Sequence, residues 1–105
     1  MDIIKSATAG TLESCDAAVT VEALDPGSAG AAGPEIVVES ADRRFASRVR
    51  EVAAAVLAEL GVSSARVTIR DRSALDCTIR ARVQTACLRA AGRDAQAKLP
   101  WEYLK

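Results

Sequence analysis

The spacing of apolar residues changes at Asp42, and this change constrains the fold more than any other feature of the sequence. Beyond Asp42 the apolar side chains recur at intervals of three and four residues, which is the pattern of a helix with one apolar side. Asp42 can cap the start of this helix and Gly61 can end it. A helix with one apolar side needs another element to pack on. The apolar stripe predicted for it consists of Phe45, Val49, Val52, Ala53, Val56, Leu57 and Leu60.

Three segments around this helix have the character of β-strands. Residues 18–24, 35–40 and 65–71 are rich in β-branched residues, and in the first and third of them successive side chains alternate between two faces. Residues 7–13 can pair with the first strand as the other half of a hairpin. The polar interruption between the two halves then reverses the chain and places Ser14 at the exposed tip.

A second helix with one apolar side is predicted after residue 72. Ser73, followed by an acid at position 76, resembles a capping box, so Ser73 is predicted to be the N-cap, and Gly92 supplies the end. The order of elements is strands, helix, strand, helix. We therefore expect an α+β fold, with a small mostly antiparallel sheet and two helices packed on one of its faces. The apolar stripe of the second helix consists of Leu75, Ile79, Val83, Ala86, Cys87 and Ala90.

The chain length of 105 residues fits one domain, and we expect residues 1–105 to form a single domain. A stretch rich in proline, glycine and alanine at 25–34 is predicted to be a flexible loop. Residues 93–105 are predicted to form a C-terminal tail that folds back on the core or docks on a partner.

Composition removes several classes of function. The chain has no histidine, which excludes histidine-dependent catalytic triads, Cys-His catalysis and histidine-ligated zinc. Its 14 basic and 14 acidic residues cancel, so neither nucleic acid nor an anionic membrane is expected as a partner. Three cysteines without a C-x-x-C pair favour a reducing compartment. With no secretory signal or membrane-spanning run, we expect a cytoplasmic protein.

The charges are unevenly distributed along the chain. Residues 1–42 contain one basic and eight acidic residues, whereas residues 43–105 contain thirteen basic and six acidic ones. Eleven of the bases are arginine, which binds carboxylates and phosphates in a bidentate way. The two halves can pair with each other, or the basic half can offer a face to a phosphate or an acidic partner.

Few residues are candidates for chemistry. Asp71 and Asp76 flank the predicted turn from strand to helix, and turn and cap roles explain them better than acid–base catalysis. Cys77 and Cys87 are interpreted as small buried apolar residues. Ser14 by itself would be an ordinary turn serine, but the residues around it change this interpretation.

Four blocks of sequence, spread in order over nearly the whole chain, carry a family resemblance. They are AGTLES at 9–14, ALDC at 74–77, RAR at 80–82 and LPWE at 99–102. Together they closely resemble the acyl carrier protein, or gamma chain, of citrate lyase.

The resemblance implies a noncatalytic subunit of a cytoplasmic complex that cleaves citrate to acetate and oxaloacetate. Ser14 matches the family's modified serine and would carry 2'-(5''-phosphoribosyl)-3'-dephospho-CoA, covalently bound through a phosphodiester. The thiol of this arm would carry acetyl and citryl thioesters. An alpha subunit (acyl transferase) would exchange acetyl for citrate, and a beta subunit (citryl lyase) would cleave the citryl thioester. A prosthetic-group transferase would attach the arm.

Two features depart from the family, and several alternatives stay open. The family has glycine or a small polar residue where this chain has Cys15, and a turn with positive φ would disfavour cysteine. The loop at 25–34 also differs. Arg66, Arg70 and Arg72 are candidates to offset repulsion between the phosphates of the arm and nearby acids. The carrier of citramalate lyase is too similar to be separated by sequence. An unmodified scaffold or interaction domain is the alternative from another class, and a free-standing enzyme is not expected.

Overall fold

The α+β prediction is confirmed by the structure, a computed structural model that describes residues 1–24, 33–40 and 42–92. Each predicted strand and helix is present, with boundaries that differ by a few residues. The strands are β1 (Ala7–Ala9), β2 (Ala17–Ala23), β3 (Glu35–Ser40) and β4 (Ala65–Asp71), and the helices are α1 (Arg43–Leu60) and α2 (Asp76–Ala90).

The four strands form one mixed sheet in the order β1-β2-β4-β3. The hairpin pair β1–β2 is antiparallel, as predicted; β2 and β4 are also antiparallel, whereas β3 and β4 are parallel. The reason is the connection between them, because α1 carries the chain back along the sheet before β4 begins. Sequence alternation indicates which face of a strand is buried, but it does not show the direction of a neighbour.

Both helices cover one face of the sheet and enclose the core, as expected. Helix α1 packs against β3, α2 packs against β1 and β2, and the helices contact each other. The centre of the sheet contributes Val19 and Val21 from β2 with Val67 and Ile69 from β4, all fully buried. They share a single apolar cluster with Leu57 of α1. The apolar stripes predicted from helical spacing therefore meet the apolar faces predicted from alternation.

The predicted caps of α1 are confirmed. The Asp42 carboxylate accepts a hydrogen bond from the N–H of Arg44 at 2.9 Å, and Gly61 ends the helix with a φ of 68°. Phe45, predicted to lie in the buried stripe, is instead 54% exposed. It lies in the first turn of α1, ahead of the buried residues of the helix, which begin at Val49.

The predicted start of α2 is wrong. The helix begins at Asp76, and its N-cap is Leu75, which makes no side-chain cap hydrogen bond. Ser73 lies before the helix with a φ of 65°. The N–H of Ala74 is bound by the Asp71 carboxylate at 2.9 Å, so this acid from the end of β4 organises the turn in place of the expected serine cap. Leu75, predicted to be buried, is 68% exposed.

The cysteine interpretation is correct for one residue and wrong for the other. Cys87 is fully buried in the core, and this burial raises the pKa of its thiol to about 12. Cys77 is exposed, because it lies in the first turn of α2 on the side away from the core.

The predictions of a flexible loop at 25–34 and of a tail at 93–105 concern residues that, apart from 33 and 34, lie outside the described part of the chain. Neither α1 nor α2 is long and apolar enough to cross a membrane.

The strand register brings one end of β2, β3 and β4 together at one edge of the molecule. Ala17 at the start of β2 pairs with Asp71 at the end of β4, and Ser40 at the end of β3 pairs with Asp71 from the other side. The loop before β2 and the first turns of α1 and α2 lie at this same end of the sheet. We call this region the Ser14 edge.

Candidate functional site

The loop that carries Ser14 joins β1 to β2, and the predicted hairpin is confirmed. β1 ends at Ala9, opposite Val19, so it is shorter than the predicted segment 7–13. Gly10 has a φ of 89° at the point where the chain leaves the strand. A Cβ atom at Gly10 would lie 1.8 Å from the carbonyl oxygen of Ala17, so only glycine fits there.

Ser14 and Cys15 are the two central residues of a tight turn. The N–H of Asp16 donates to the carbonyl oxygen of Glu13 at 3.1 Å, which closes the turn. Cys15 has a φ of 65°, and a positive φ at this position is typical of a type II turn, where glycine is favoured. Ser14 and Cys15 are exposed, so the structure places Ser14 at the hairpin tip, as predicted.

Two backbone hydrogen bonds hold the turn against the end of β4. The N–H of Cys15 donates to the carbonyl oxygen of Arg72 at 2.7 Å, and the N–H of Arg72 donates to the carbonyl oxygen of Asp16 at 2.9 Å. The residues on the C-terminal side of Ser14 are therefore fixed to the sheet.

Asp16 organises the inside of the loop. Its carboxylate accepts hydrogen bonds from the N–H and the hydroxyl of Thr11, at 3.2 and 2.7 Å, and from the N–H of Ala17 at 2.7 Å. The Arg82 guanidinium reaches it from α2 with Nε at 2.9 Å and Nη2 at 3.0 Å. The Asp16 side chain is 13% exposed. These hydrogen bonds, from Arg82 above all and then from Thr11 and Ala17, hold the pKa of Asp16 far below its ordinary value.

Sequence reasoning missed this pair. Asp16 and Arg82 are 66 residues apart, and nothing in their local sequence indicates that they meet. The only available signal was that Arg82 lies in one of the four resembling blocks.

The Ser14 side chain itself makes no hydrogen bond to the described residues. The hydroxyl stands in solvent on a turn that is fixed through Asp16 and Arg72. This arrangement makes Ser14 accessible to another enzyme and to a bulky substituent, because no described side chain has to move to free it.

Two of the three arginines proposed to act near Ser14 are already paired with acids. Arg66 pairs with Glu35 at 2.8 Å and Arg70 pairs with Glu39 at 3.0 Å, both across the β3–β4 pair. Arg72 is exposed beside the turn and makes no ion pair with the described residues. Pairing between the acidic and basic halves of the chain is thus observed, in these two pairs and in Asp16–Arg82.

Asp71 has the turn role that was predicted, whereas Asp76 forms an ion pair in place of the predicted cap. Asp71 is buried, accepts the Ser40 hydroxyl at 3.1 Å and binds the N–H of Ala74. Asp76 lies in the first turn of α2 and pairs with Arg48 of α1 at 2.5 Å. Each carboxylate therefore has a partner that explains it without catalysis.

Comparison with known proteins identifies the family of this chain. The family model described as malonate decarboxylase delta subunit (MdcD), an acyl carrier protein family, matches residues 4–90. The citrate lyase acyl carrier protein of Albidiferax ferrireducens is 45% identical over 105 residues, the whole length of both chains. The chain belongs to the citrate lyase acyl carrier protein family.

Further relatives agree with this assignment. The citrate lyase acyl carrier protein of Escherichia fergusonii is 42% identical over 102 residues, which are 96% of this chain and 97% of that protein. The one from Klebsiella pneumoniae is 39% identical over 105 residues, covering 99% of this chain and all of the relative. Residues 4–90 contain all the strands and helices of the described part of the chain, and the loop with Ser14.

Proposed function

We propose that the chain is the acyl carrier subunit of a citrate lyase complex and that Ser14 is the residue that carries its prosthetic group. The observation that supports this most strongly is the Ser14 hydroxyl, exposed and unbonded among the described residues, on a turn held by Asp16 and Arg72. Family membership supplies the class of function, and the loop supplies an attachment point suited to it.

The group implied is 2'-(5''-phosphoribosyl)-3'-dephospho-CoA, joined to Ser14 Oγ by a phosphodiester. The residues present fit this group. A phosphodiester needs one accessible hydroxyl with room around it, and Ser14 lies between exposed neighbours at the hairpin tip. Once attached, the group supplies a thiol that holds the acetyl or citryl residue as a thioester.

The chain's own residues present the arm. Gly10 lets the chain leave β1 in a conformation that other residues do not adopt, and Asp16 ties Thr11 and Ala17 together, so the turn keeps one shape. A fixed attachment point with a mobile arm raises the local concentration of the thioester at each partner active site. Arg82 offsets the charge of Asp16, and we assign the offsetting of phosphate charge to Arg72, whose backbone is bonded to the turn.

In this proposal the subunit is noncatalytic and cytoplasmic, and it serves an alpha acyl transferase and a beta citryl lyase after a transferase has loaded it. The carrier of citramalate lyase is the alternative within the class. The delta subunit of malonate decarboxylase is a further alternative, because the matching family model bears that description. Turnover of citrate, citramalate and malonate by the complex purified with this chain separates the three.

Intact mass spectrometry tests the attachment. The chain co-expressed with the transferase system should gain the mass of the arm, Ser14→Ala should not, and Ser73→Gly should gain it as the wild type does. Ser73→Gly is the matched control, because Ser73 is another exposed serine and its φ of 65° is one that glycine adopts readily. Loss of the added mass in Ser73→Gly, or its retention in Ser14→Ala, contradicts the proposal. A wild-type chain that stays unmodified beside active transferases favours the unmodified interaction domain.

A further inference from the structure

The Ser14 edge concentrates exposed apolar side chains. Five large apolar residues are exposed in the described part of the chain, and three of them lie at this edge. A group of this kind bordered by polar residues is typical of an interaction site. The three are Leu12, Phe45 and Leu75, which are 48%, 54% and 68% exposed; the other two are Ile4 and Val37.

Two hollows lie along this edge, one beside Leu12 and one beside Phe45, and Leu75 lies in the sequence between two residues that line the second. Leu12 lies with Arg72 along an open cleft of about 400 Å³ next to the Ser14 turn. Phe45 lies with Ala74 along a second hollow of about 150 Å³ at the start of α2. Asp71 borders both, so the two hollows adjoin at the end of β4.

Two of these three residues stand at positions where another residue type would favour the stability of the chain itself. An N-cap position favours a side chain with an oxygen that binds the free N–H groups of the first turn, and α2 has Leu75 there with no such bond. Phe45 lies in the first turn of α1, where it gains little from burial. Neither choice is explained by the packing of the chain itself.

We propose that Leu12, Phe45 and Leu75 form the docking surface for the enzyme that joins the prosthetic group to Ser14. This inference rests on the proposed function. In that step Ser14 Oγ attacks the phosphorus of an activated phosphoric anhydride of the arm. The Oγ–P bond forms, the bond from phosphorus to the leaving phosphate group breaks, and the hydroxyl proton is released.

Geometry selects this partner over the lyase subunits. A transferase has to bring its reacting phosphorus within about 3–3.5 Å of Ser14 Oγ, so its surface must cover the residues that surround the turn. In the proposed function the lyase subunits act on the thioester at the far end of the arm, so their chemistry does not itself require a surface within bonding distance of Ser14 Oγ. Arg72 adds charge complementarity, because its exposed guanidinium makes no ion pair with the described residues and fits a carboxylate on the partner.

The test measures the rate at which purified transferase adds mass to the apo chain. Leu75→Ser and Phe45→Ser should each raise KM about tenfold, which is a typical loss for an apolar anchor at the centre of an interface. Ile4→Ser is the matched control, since Ile4 is also 68% exposed but contacts the C-terminal end of α2. It should react as the wild type does. Circular dichroism verifies that each variant is folded.

Inhibition separates docking from chemistry. Ser14→Ala lacks the reacting hydroxyl but keeps the surface, so it should inhibit modification of the wild-type chain with an inhibition constant near KM. The double variant Ser14→Ala, Leu75→Ser should inhibit about tenfold more weakly.

Four results overturn the inference. They are an unchanged KM in Leu75→Ser and Phe45→Ser, an equal loss in Ile4→Ser, no inhibition by Ser14→Ala, and normal modification combined with weaker binding to the lyase subunits. The last result would assign the surface to those subunits instead. A wild-type chain that gains no mass overturns the proposed function as well, so the two failures are distinguishable.

Discussion

Replacing Gly10 by alanine should damage the fold at the base of the attachment loop more than any other glycine-to-alanine change in the described chain. The added Cβ would lie 1.8 Å from the carbonyl oxygen of Ala17 and 3.0 Å from Cδ of Arg82. Opening the first contact to 3.0 Å, the shortest separation that real Cβ atoms show, requires a backbone shift of about 1 Å. Such a shift disturbs the β1–β2 register and the Arg82–Asp16 pair together.

Two contributions set the size of this effect. Holding alanine at a φ of 89° costs about 1–2 kcal/mol, and forcing extra volume into a packed site costs about 1–3 kcal/mol, for a total of about 2–5 kcal/mol. A total of this size is a large fraction of the about 5–15 kcal/mol that stabilises a typical domain.

Gly61→Ala isolates the backbone contribution. Gly61 has a φ of 68°, but the nearest atom to an added Cβ is the Met1 nitrogen at an ordinary 3.4 Å, so only about 1–2 kcal/mol should be lost. Urea unfolding followed by circular dichroism gives both values. Equal losses in the two variants would refute the argument that the close approach of Ala17 requires glycine at position 10.

Further predictions concern the turn, the core and the thiols. Cys15→Gly should stabilise the chain by about 0.5 kcal/mol in urea unfolding, because relief of the positive φ outweighs the extra freedom of glycine in the unfolded state. Because its pKa is lowered in the fold, ionised Asp16 stabilises the chain; this contribution to the free energy of unfolding is complete above the ordinary pKa of 3.8 and is lost as the pH falls below it. In Asp16→Asn the free energy of unfolding should therefore fall less between pH 3.8 and about pH 2 than in the wild type. Leu57→Ala should cost about 2–5 kcal/mol in urea unfolding, because Leu57 is fully buried. A thiol reagent at neutral pH should label Cys15 and Cys77 rapidly, but Cys87 only after denaturant is added, since burial raises its pKa to about 12.

Local signals account for what the sequence predicted correctly. Asp42 and Gly61 bracket α1 because a cap needs only one side chain, or one residue with positive φ, next to the helix. The buried faces of β2 and β4 follow from alternation, since both strands have one face against the helices. The position of Ser14 at a hairpin tip likewise depended only on a polar interruption between two strand-like segments.

The errors concern contacts between distant segments. Ser73 resembled an N-cap, yet Asp71 organises the turn while its carboxylate also accepts the Ser40 hydroxyl from β3, a contact that only the folded sheet creates. The pairing of Asp16 with Arg82 likewise requires β2 and α2 to lie side by side. Phe45 has helical spacing but lies in the first turn of α1, ahead of the buried residues that begin at Val49, so periodicity overstated its burial.

The identity of the modified residue is the central claim, and one measurement tests it directly. Trypsin cleaves after Lys5 and next after Arg43, so residues 6–43 form one peptide that contains four serines, at positions 6, 14, 28 and 40. Tandem mass spectrometry of this peptide, from the chain loaded by its transferases, locates the added mass among them. The account predicts the whole of the added mass on Ser14. Added mass on another residue, with an unmodified Ser14, would contradict it.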